Sequence, residues 1–326
     1  MAVSGWGSAL PPTVVSNDDL TTLFETSDDW IFERSGIRER RAATGPFVDP
    51  PPPKLPPESG LGTTGTLATE AARVALERAG VSGAEVSALI LCTTTPDQLI
   101  PANSASVAAA LGMAGGAMDL NAACAGFTYG LVTAAGLISA GADRVVVVGA
   151  ETLTRATNWQ DRTNAFLFGD GAGALVVEAV PGDGSLLGWD LGVDGSLVPL
   201  LYAQHGSGMV MRGREVFRRA VLATVESAKA SLERAKLTVD DIALFVPHQA
   251  NIRIMQAVAE RLGLPPERVA SVIERTGNTS SASIPLALVD AVEGGRVSEG
   301  DNILLAGFGA GMTWASAVWR WQYIRR

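Results

Sequence analysis

The chain has 326 residues, 47% hydrophobic and 18% charged, and a formal net charge of −9. A chain this apolar can bury a large core and is not disordered, and its acidity excludes an overall basic surface for nucleic acid. Two cysteines cannot make a disulfide framework, and neither a secretory leader nor an apolar run of about 18 residues is evident, so a soluble cytoplasmic protein with free Cys92 and Cys124 is expected.

Length suggests two domains at roughly 150 residues each, or one large one. The first notable segment is proline-rich. Pro46, the run Pro50-Pro-Pro-Pro53 and Pro56-Pro57 fall within 44–65. Proline fixes φ and lacks an N–H donor, so an exposed loop with polyproline character is expected. Such a loop is either a recognition element or a variable surface insertion. A helix is predicted over 66–79, an aliphatic strand over 88–93 and a helix over 102–111. Next comes Asn121-Ala-Ala-Cys124-Ala-Gly126-Phe-Thr-Tyr-Gly130, read as a strand-to-helix junction leading into a helix over 126–140. A thiol there feels the positive end of the helix dipole, which favours the thiolate. The residue is either a nucleophile or a buried structural cysteine.

Strands are predicted over 144–149, 174–178, 243–246 and 302–306. Helices are predicted over 215–235, 251–262 and 283–293. This alternation argues an α/β architecture with largely buried strands. The order also repeats: a helix ending Arg78-Ala-Gly80 leads to the strand near Leu89, and one ending Arg234-Ala-Lys236 leads to the strand near Leu244. Two related halves are expected, 1–180 and 181–326, meeting at Pro181-Gly-Asp-Gly184. The site should lie between them, where strand ends meet.

There are two histidines, and the placement of the second suits an active site. His205 lies in the glycine-rich Tyr202-Ala-Gln-His-Gly-Ser-Gly208, and His248 lies between a strand and a helix in Phe245-Val-Pro-His248-Gln-Ala-Asn251. His248 reads as a catalytic base or donor, or as a structural histidine at a helix start. Asn278, in Arg275-Thr-Gly-Asn278-Thr-Ser-Ser, offers an amide to the site or caps a helix. The loop Ala306-Gly-Phe308-Gly309-Ala310-Gly-Met-Thr-Trp314 can bring backbone N–H groups to a ligand oxygen, or is simply a tight hairpin. Together these parts suit acyl transfer through a thioester.

Those four passages resemble the β-ketoacyl-acyl carrier protein synthase III family of thiolase-fold condensing enzymes. Ser27-Asp-Asp-Trp30-Ile-Phe-Glu-Arg34-Ser-Gly and Phe168-Gly-Asp-Gly-Ala-Gly173 resemble it too, and all six occur in family order. The last glycine-rich loop lacks the second cysteine of thiolases, and Asn278 stands where elongating ketosynthases resemble a second histidine. The resemblance implies a thiolase-like fold, with two βαβαβαββ halves forming a five-layered αβαβα arrangement. It implies a catalytic Cys124, His248 and Asn278, an oxyanion hole from Cys124, Gly309 and Ala310, and Phe308 beside the nucleophile. Acyl-CoA and malonyl-acyl carrier protein would be the substrates, with no metal or redox cofactor. Trp30, Arg34, Arg162, Gly213, Phe217 and Asn251 would bind CoA. Arg253 and Arg218 would dock the carrier protein, although Glu260 stands where a basic residue is common. A homodimer is implied, in which Ile100 enters the partner's acyl pocket. No membrane or nucleic-acid partner is implied. Two other readings are a starter-unit or acyltransferase relative in secondary metabolism and a non-catalytic acyl-binding member of the fold.

Overall fold

Aliphatic and β-branched side chains suit strands covered on both faces, and this chain uses them that way. The computed structural model describes residues 1–44, 51–53, 60–182, 184–204 and 206–324. His205, Asp183 of the predicted junction, and Pro46, Pro50, Pro56 and Pro57 lie outside the described residues.

In chain order, β1 (Ala2–Ala9) leads to the short β2 (Thr13–Ser16), α1 (Asn17–Leu20), α2 (Asp28–Ser35) and β3 (Glu39–Ala42). Then come α3 (Thr64–Ala79), β4 (Ala88–Cys92), α4 (Asn103–Ala110), β5 (Gly116–Leu120), α5 (Gly126–Ser139), β6 (Arg144–Thr152) and β7 (Asp170–Glu178). The remainder starts with β8 (Leu186–Val193), β9 (Leu201–Tyr202), β10 (Val210–Met211), α6 (Gly213–Ala235), β11 (Leu244–Pro247) and α7 (Ile252–Leu262). It ends with α8 (Ile273–Thr276), α9 (Ser283–Glu293), β12 (Asn302–Gly309) and β13 (Thr313–Arg320).

The larger sheet has the order β1-β7-β6-β4-β5, with β4 parallel to both its neighbours. The second has the order β11-β12-β13-β8, with β11 and β12 parallel. Side chains alternate across each strand. On the larger sheet Ile90, Val145, Val147 and Leu175 face a core shared with α5, α9 and the second sheet. Leu89, Leu91, Val146 and Val148 face α3 on the opposite side. On the second sheet Leu304 and Val318 face α6 and α7. The layers therefore run helix, sheet, helix pair, sheet, helix: the αβαβα arrangement. Gly130 lets α5 approach its sheet, because a Cβ there would stand 2.5 Å from Cys92 Sγ.

The predicted strands correspond to β4, β6, β7, β11 and β12, and the predicted helices to α3, α4, α5, α6, α7 and α9. In the C-terminal sheet the third strand of the βαβαβαββ order is reduced to a single bridge between Phe245 and Val269. The buried Gln249 side chain occupies the missing ladder. It donates to Ala270 O at 3.3 Å and accepts from Val272 N at 3.1 Å, as a strand peptide would. The strand expected before the Cys124 turn is β5, given no range from sequence; β1, β8 and β13 were not read from the residue pattern. The small residues of Ala-Val-Ser-Gly-Trp-Gly-Ser-Ala in β1 and the exposed face of β5 weaken the period-two signal.

Candidate active site

Strand β5 ends at Leu120 and α5 opens at Gly126, so Cys124 sits in the turn between them. Asn121 Oδ1 accepts from Ala123 N at 3.1 Å, and Ala123 has φ +49°, a left-handed conformation that costs a non-glycine residue about 1–3 kcal/mol. Thr313 Oγ1, at the start of β13, donates to Ala122 O at 2.8 Å. That bond pins the glycine-rich loop after β12 to the cysteine turn. Gly309 lies flush against the Cys124 backbone as a result.

His248 follows β11 and is buried, and its backbone N–H donates to Ala306 O at 2.8 Å. Its Nδ1 lies 2.6 Å from Ser283 Oγ, which also accepts from Gln249 N at 3.2 Å. Ser283 has one hydroxyl hydrogen. Giving it to Nδ1 satisfies both groups, so hydrogen-bond satisfaction assigns the proton of the ring to Nε2. Burial pushes the imidazole down to about 3, so it is neutral at physiological pH. Phe308 packs edge-on against this ring, with centroids 5.5 Å apart.

Asn278 is clamped through its backbone. Its N–H donates to Leu167 O at 2.8 Å, and its carbonyl accepts from Gly169 N at 3.0 Å. Its side-chain Oδ1 accepts from Ser280 N at 2.8 Å. With the oxygen so engaged, the NH₂ group is what Asn278 offers to the cavity. Asn278 thus accepts from the turn that follows it and also lines the cavity.

Burial pushes the Cys124 thiol up to about 12; the Ser280 hydroxyl pulls it down, and Glu151 adds to the rise. The helix N-terminus was expected to favour the thiolate. Desolvation acts in the opposite direction and raises the thiol, which shares its cavity with a neutral imidazole. Cys92 lies within β4, fully buried and raised further still by desolvation.

One cavity of about 870 Å³ is lined by Cys124, His248, Asn278, Phe308 and Ala310. The same cavity reaches Trp30, Arg34, Gly213, Phe217 and Asn251. Arg34 and Arg162 guanidinium carbons lie 4.2 and 4.8 Å from the Trp30 ring centroid. Phe166 meets that ring edge-on. Asn251 is a strut within the wall: Nδ2 donates to Arg34 O at 2.8 Å and Oδ1 accepts from Arg253 N at 2.9 Å. Ile100 is not brought to the cavity and is 87% exposed. Arg218 and Arg253 are exposed outside it.

Sequence reading missed Ser280, Ser283, Gln249 and the wall residues Met209, Met211 and Phe166. It also missed Glu151, for which a signal existed: a lone carboxylate near the end of an otherwise apolar buried strand.

A family model for 3-oxoacyl-[acyl-carrier-protein (ACP)] synthase III matches residues 118–195, and the corresponding C-terminal model matches 232–321. The β-ketoacyl-[acyl-carrier-protein] synthase III of Listeria monocytogenes is 46% identical over 321 residues, 98% of each chain. The crystal structure of 3-oxoacyl-[acyl-carrier-protein] synthase III from Aquifex aeolicus matches with TM-score 0.90 and 39% identity, covering 98% of this chain and 99% of that one. A priming β-ketosynthase from a polyketide biosynthetic pathway matches with TM-score 0.89 and 38% identity, covering 98% of this chain and 96% of the other.

Proposed function

Because the chain belongs to the β-ketoacyl-acyl carrier protein synthase III family of condensing acyltransferases, we propose that Cys124 takes an acyl group from acyl-CoA and passes it to malonyl-acyl carrier protein. One observation carries this reading: a single cavity joins the Cys124, His248 and Asn278 end to the Trp30–Arg34 mouth.

In the first half-reaction the Cys124 sulfur bonds the acyl carbon. The primer's C–S bond breaks, and the cysteine's proton leaves with CoA as its thiol. Backbone N–H groups of Cys124 and of the Gly309–Ala310 loop stabilise the oxyanion. In the second, the malonyl group's bond to its carboxylate breaks and carbon dioxide leaves. The electron pair becomes an enolate, whose oxygen accepts from His248 Nε2–H and the Asn278 NH₂. Neutral donors suit this step, because their stabilisation grows as charge develops. The enolate carbon attacks the acyl group, and the departing cysteine sulfur regains a proton from water. This chemistry calls on no metal or redox cofactor.

Trp30, Arg34 and Arg162 form the nucleotide end, with Gly213 and Phe217 along the pantetheine arm. The exposed Arg253 and Arg218, with Arg214 and Arg219 beside them, give this acidic chain a local basic face for an acidic carrier protein. The exposed Glu260 weakens that field. We read residues 1–180 and 181–326 as related halves; the strands of the larger sheet lie within 2–178 and those of the second within 186–320. A homodimer is supported by the edge strand β5, with Met118 40% exposed, and by Leu99 and Ile100 at 74% and 87% exposure. Ile100 would enter the partner's acyl pocket. Free thiols suit the cytoplasm, and none of the described helices is long and apolar enough to cross a membrane.

The test is product formation from acyl-CoA and malonyl-acyl carrier protein, repeated with Cys124→Ala. Turnover that survives in the variant would sink the nucleophile assignment. The likeness to the priming β-ketosynthase favours a second reading, starter-unit synthesis. Comparing carrier proteins of fatty-acid and polyketide type as acceptors separates the two.

A further inference from the structure

Glu151, near the end of β6, is fully buried. A buried carboxylate is costly unless donors surround it. Here Oε2 accepts from Thr94 N at 3.0 Å and Thr95 N at 3.1 Å. It also accepts the hydroxyls of Thr93, Thr94 and Thr95 at 3.2, 3.0 and 2.6 Å. Oε1 faces Ser281, whose N–H it accepts at 3.4 Å and whose hydroxyl, 2.7 Å away, it shares with Cys92 O, also at 2.7 Å. The threonines belong to the loop after β4, and Ser281 to the turn before α9. One carboxylate therefore ties the two sheets' loops together beside the cavity, which Glu151 itself does not line.

The neighbour of Ser281 explains what this tie can do. Ser280 has φ +46°, left-handed and unusual for a residue with a Cβ. Such a conformation persists only where its surroundings over-determine it. Ser280 N–H is the group that engages Asn278 Oδ1, and Ser280 lines the same cavity as Cys124. A relaxed Ser280 would release the Asn278 amide from its orientation.

We propose that Glu151 is a positioning residue for condensation: through Ser281 it holds Ser280 left-handed and so aims the Asn278 NH₂ at the reacting oxygen. This rests on the proposed role of Asn278 as a donor to the enolate. The carboxylate has a second effect, because its charge opposes ionisation of Cys124. The other titratable group at the thiol is His248, from the loop after β11. Asp119 of β5 is held by the N–H groups of Asn103 and Ser104.

The two effects make the role separable from simple structural support. Glu151→Gln keeps the shape, loses the charge and sets an NH₂ against existing donors. Its condensation kcat with malonyl-acyl carrier protein should fall at least about tenfold, with the KM for acyl-CoA within about twofold. Alkylation of Cys124 by iodoacetamide, followed by peptide mass, should shift its pH profile to lower pH. Ser281→Ala removes the hydroxyl, leaves only the longer N–H contact and keeps the charge, so kcat should fall while the alkylation profile stays put. Wild-type condensation in either folded variant would overturn the proposal. So would equal loss of acylation and condensation in Glu151→Gln without an alkylation shift. If Glu151→Gln does not fold, Ser281→Ala decides alone. Cys124→Ala, assayed alongside, reports separately on the catalytic reading, since its turnover does not depend on Glu151.

Discussion

Adding one methyl group at Gly309 tests the contact between the glycine-rich loop and the nucleophile turn. Gly309 has φ −152° and ψ −177°, extended backbone that alanine adopts freely, so the cost is purely one of space. A Cβ at this position would stand 2.5 Å from Cys124 N, 2.7 Å from Ala123 Cβ and 3.2 Å from Ala123 C. Non-bonded heavy atoms want about 3.5 Å or more, so β12 and the cysteine turn must part by about 1 Å. Overpacking of this kind costs about 1–3 kcal/mol of stability. Oxyanion donors work only at about 2.7–3.1 Å, and losing one costs about 10²–10³ in rate. Gly309→Ala should therefore acylate Cys124 at least about a hundredfold more slowly. Gly307→Ala is the control from the same loop. Its Cβ would meet Ile284 Cδ1 at 3.3 Å, His248 Cβ at 3.4 Å and Cys124 O at 3.5 Å, and the isoleucine methyl can give way. Its rate should stay within about fivefold of wild type, a loss near 1 kcal/mol. Rapid-quench single turnovers with acyl-CoA, read by intact mass, measure both. Wild-type acylation by Gly309→Ala would refute the oxyanion placement. Equal losses in the two variants would show that contact distance is not what decides.

Three further outcomes follow from the same geometry. Trp30→Ala removes the ring on which the nucleotide base would stack, a contact worth about 1–3 kcal/mol, so the KM for acyl-CoA should rise about tenfold while kcat changes little; an unchanged KM places the nucleotide elsewhere. His248 is neutral when folded, at about 3, whereas the unfolded chain binds its proton below about pH 6.5. Stability is full above that pH and falls as pH drops toward 3, by about 2 kcal/mol at pH 5. Urea midpoints at pH 7.5 and 5 should therefore diverge more in wild type than in His248→Phe, and equal divergence would contradict the buried neutral ring. Ser283→Ala frees Nδ1 and with it the tautomer of His248. Condensation should slow about tenfold with Cys124 acylation untouched, as the separate half-reactions measure; parallel slowing of both would point to a collapsed site instead.

Residue identity and spacing alone revealed much of this molecule. The aliphatic runs named the buried strands, because both faces of such strands must be apolar. Asn121-Ala-Ala-Cys124-Ala-Gly126 and Val246-Pro-His248-Gln-Ala-Asn251 marked strand-to-helix junctions, where side chains reach a shared sheet edge. Local order could not supply what depends on distant partners. Glu151 looked like an interruption of an apolar strand until threonines of another loop and Ser281 closed around it. Asn251 read as a ligand contact and lines the cavity, but only the fold shows that its amide also bridges α2 and α7. The protonation of Cys124 shows the difference most sharply. The sequence placed the thiol at a helix N-terminus, which by itself favours the thiolate. Tertiary packing around the cavity acts the other way, because desolvation pushes the thiol up to about 12. The sequence by itself determined which groups are present and in what order along the chain; only the folded structure decided which of them touch, and therefore which carry charge.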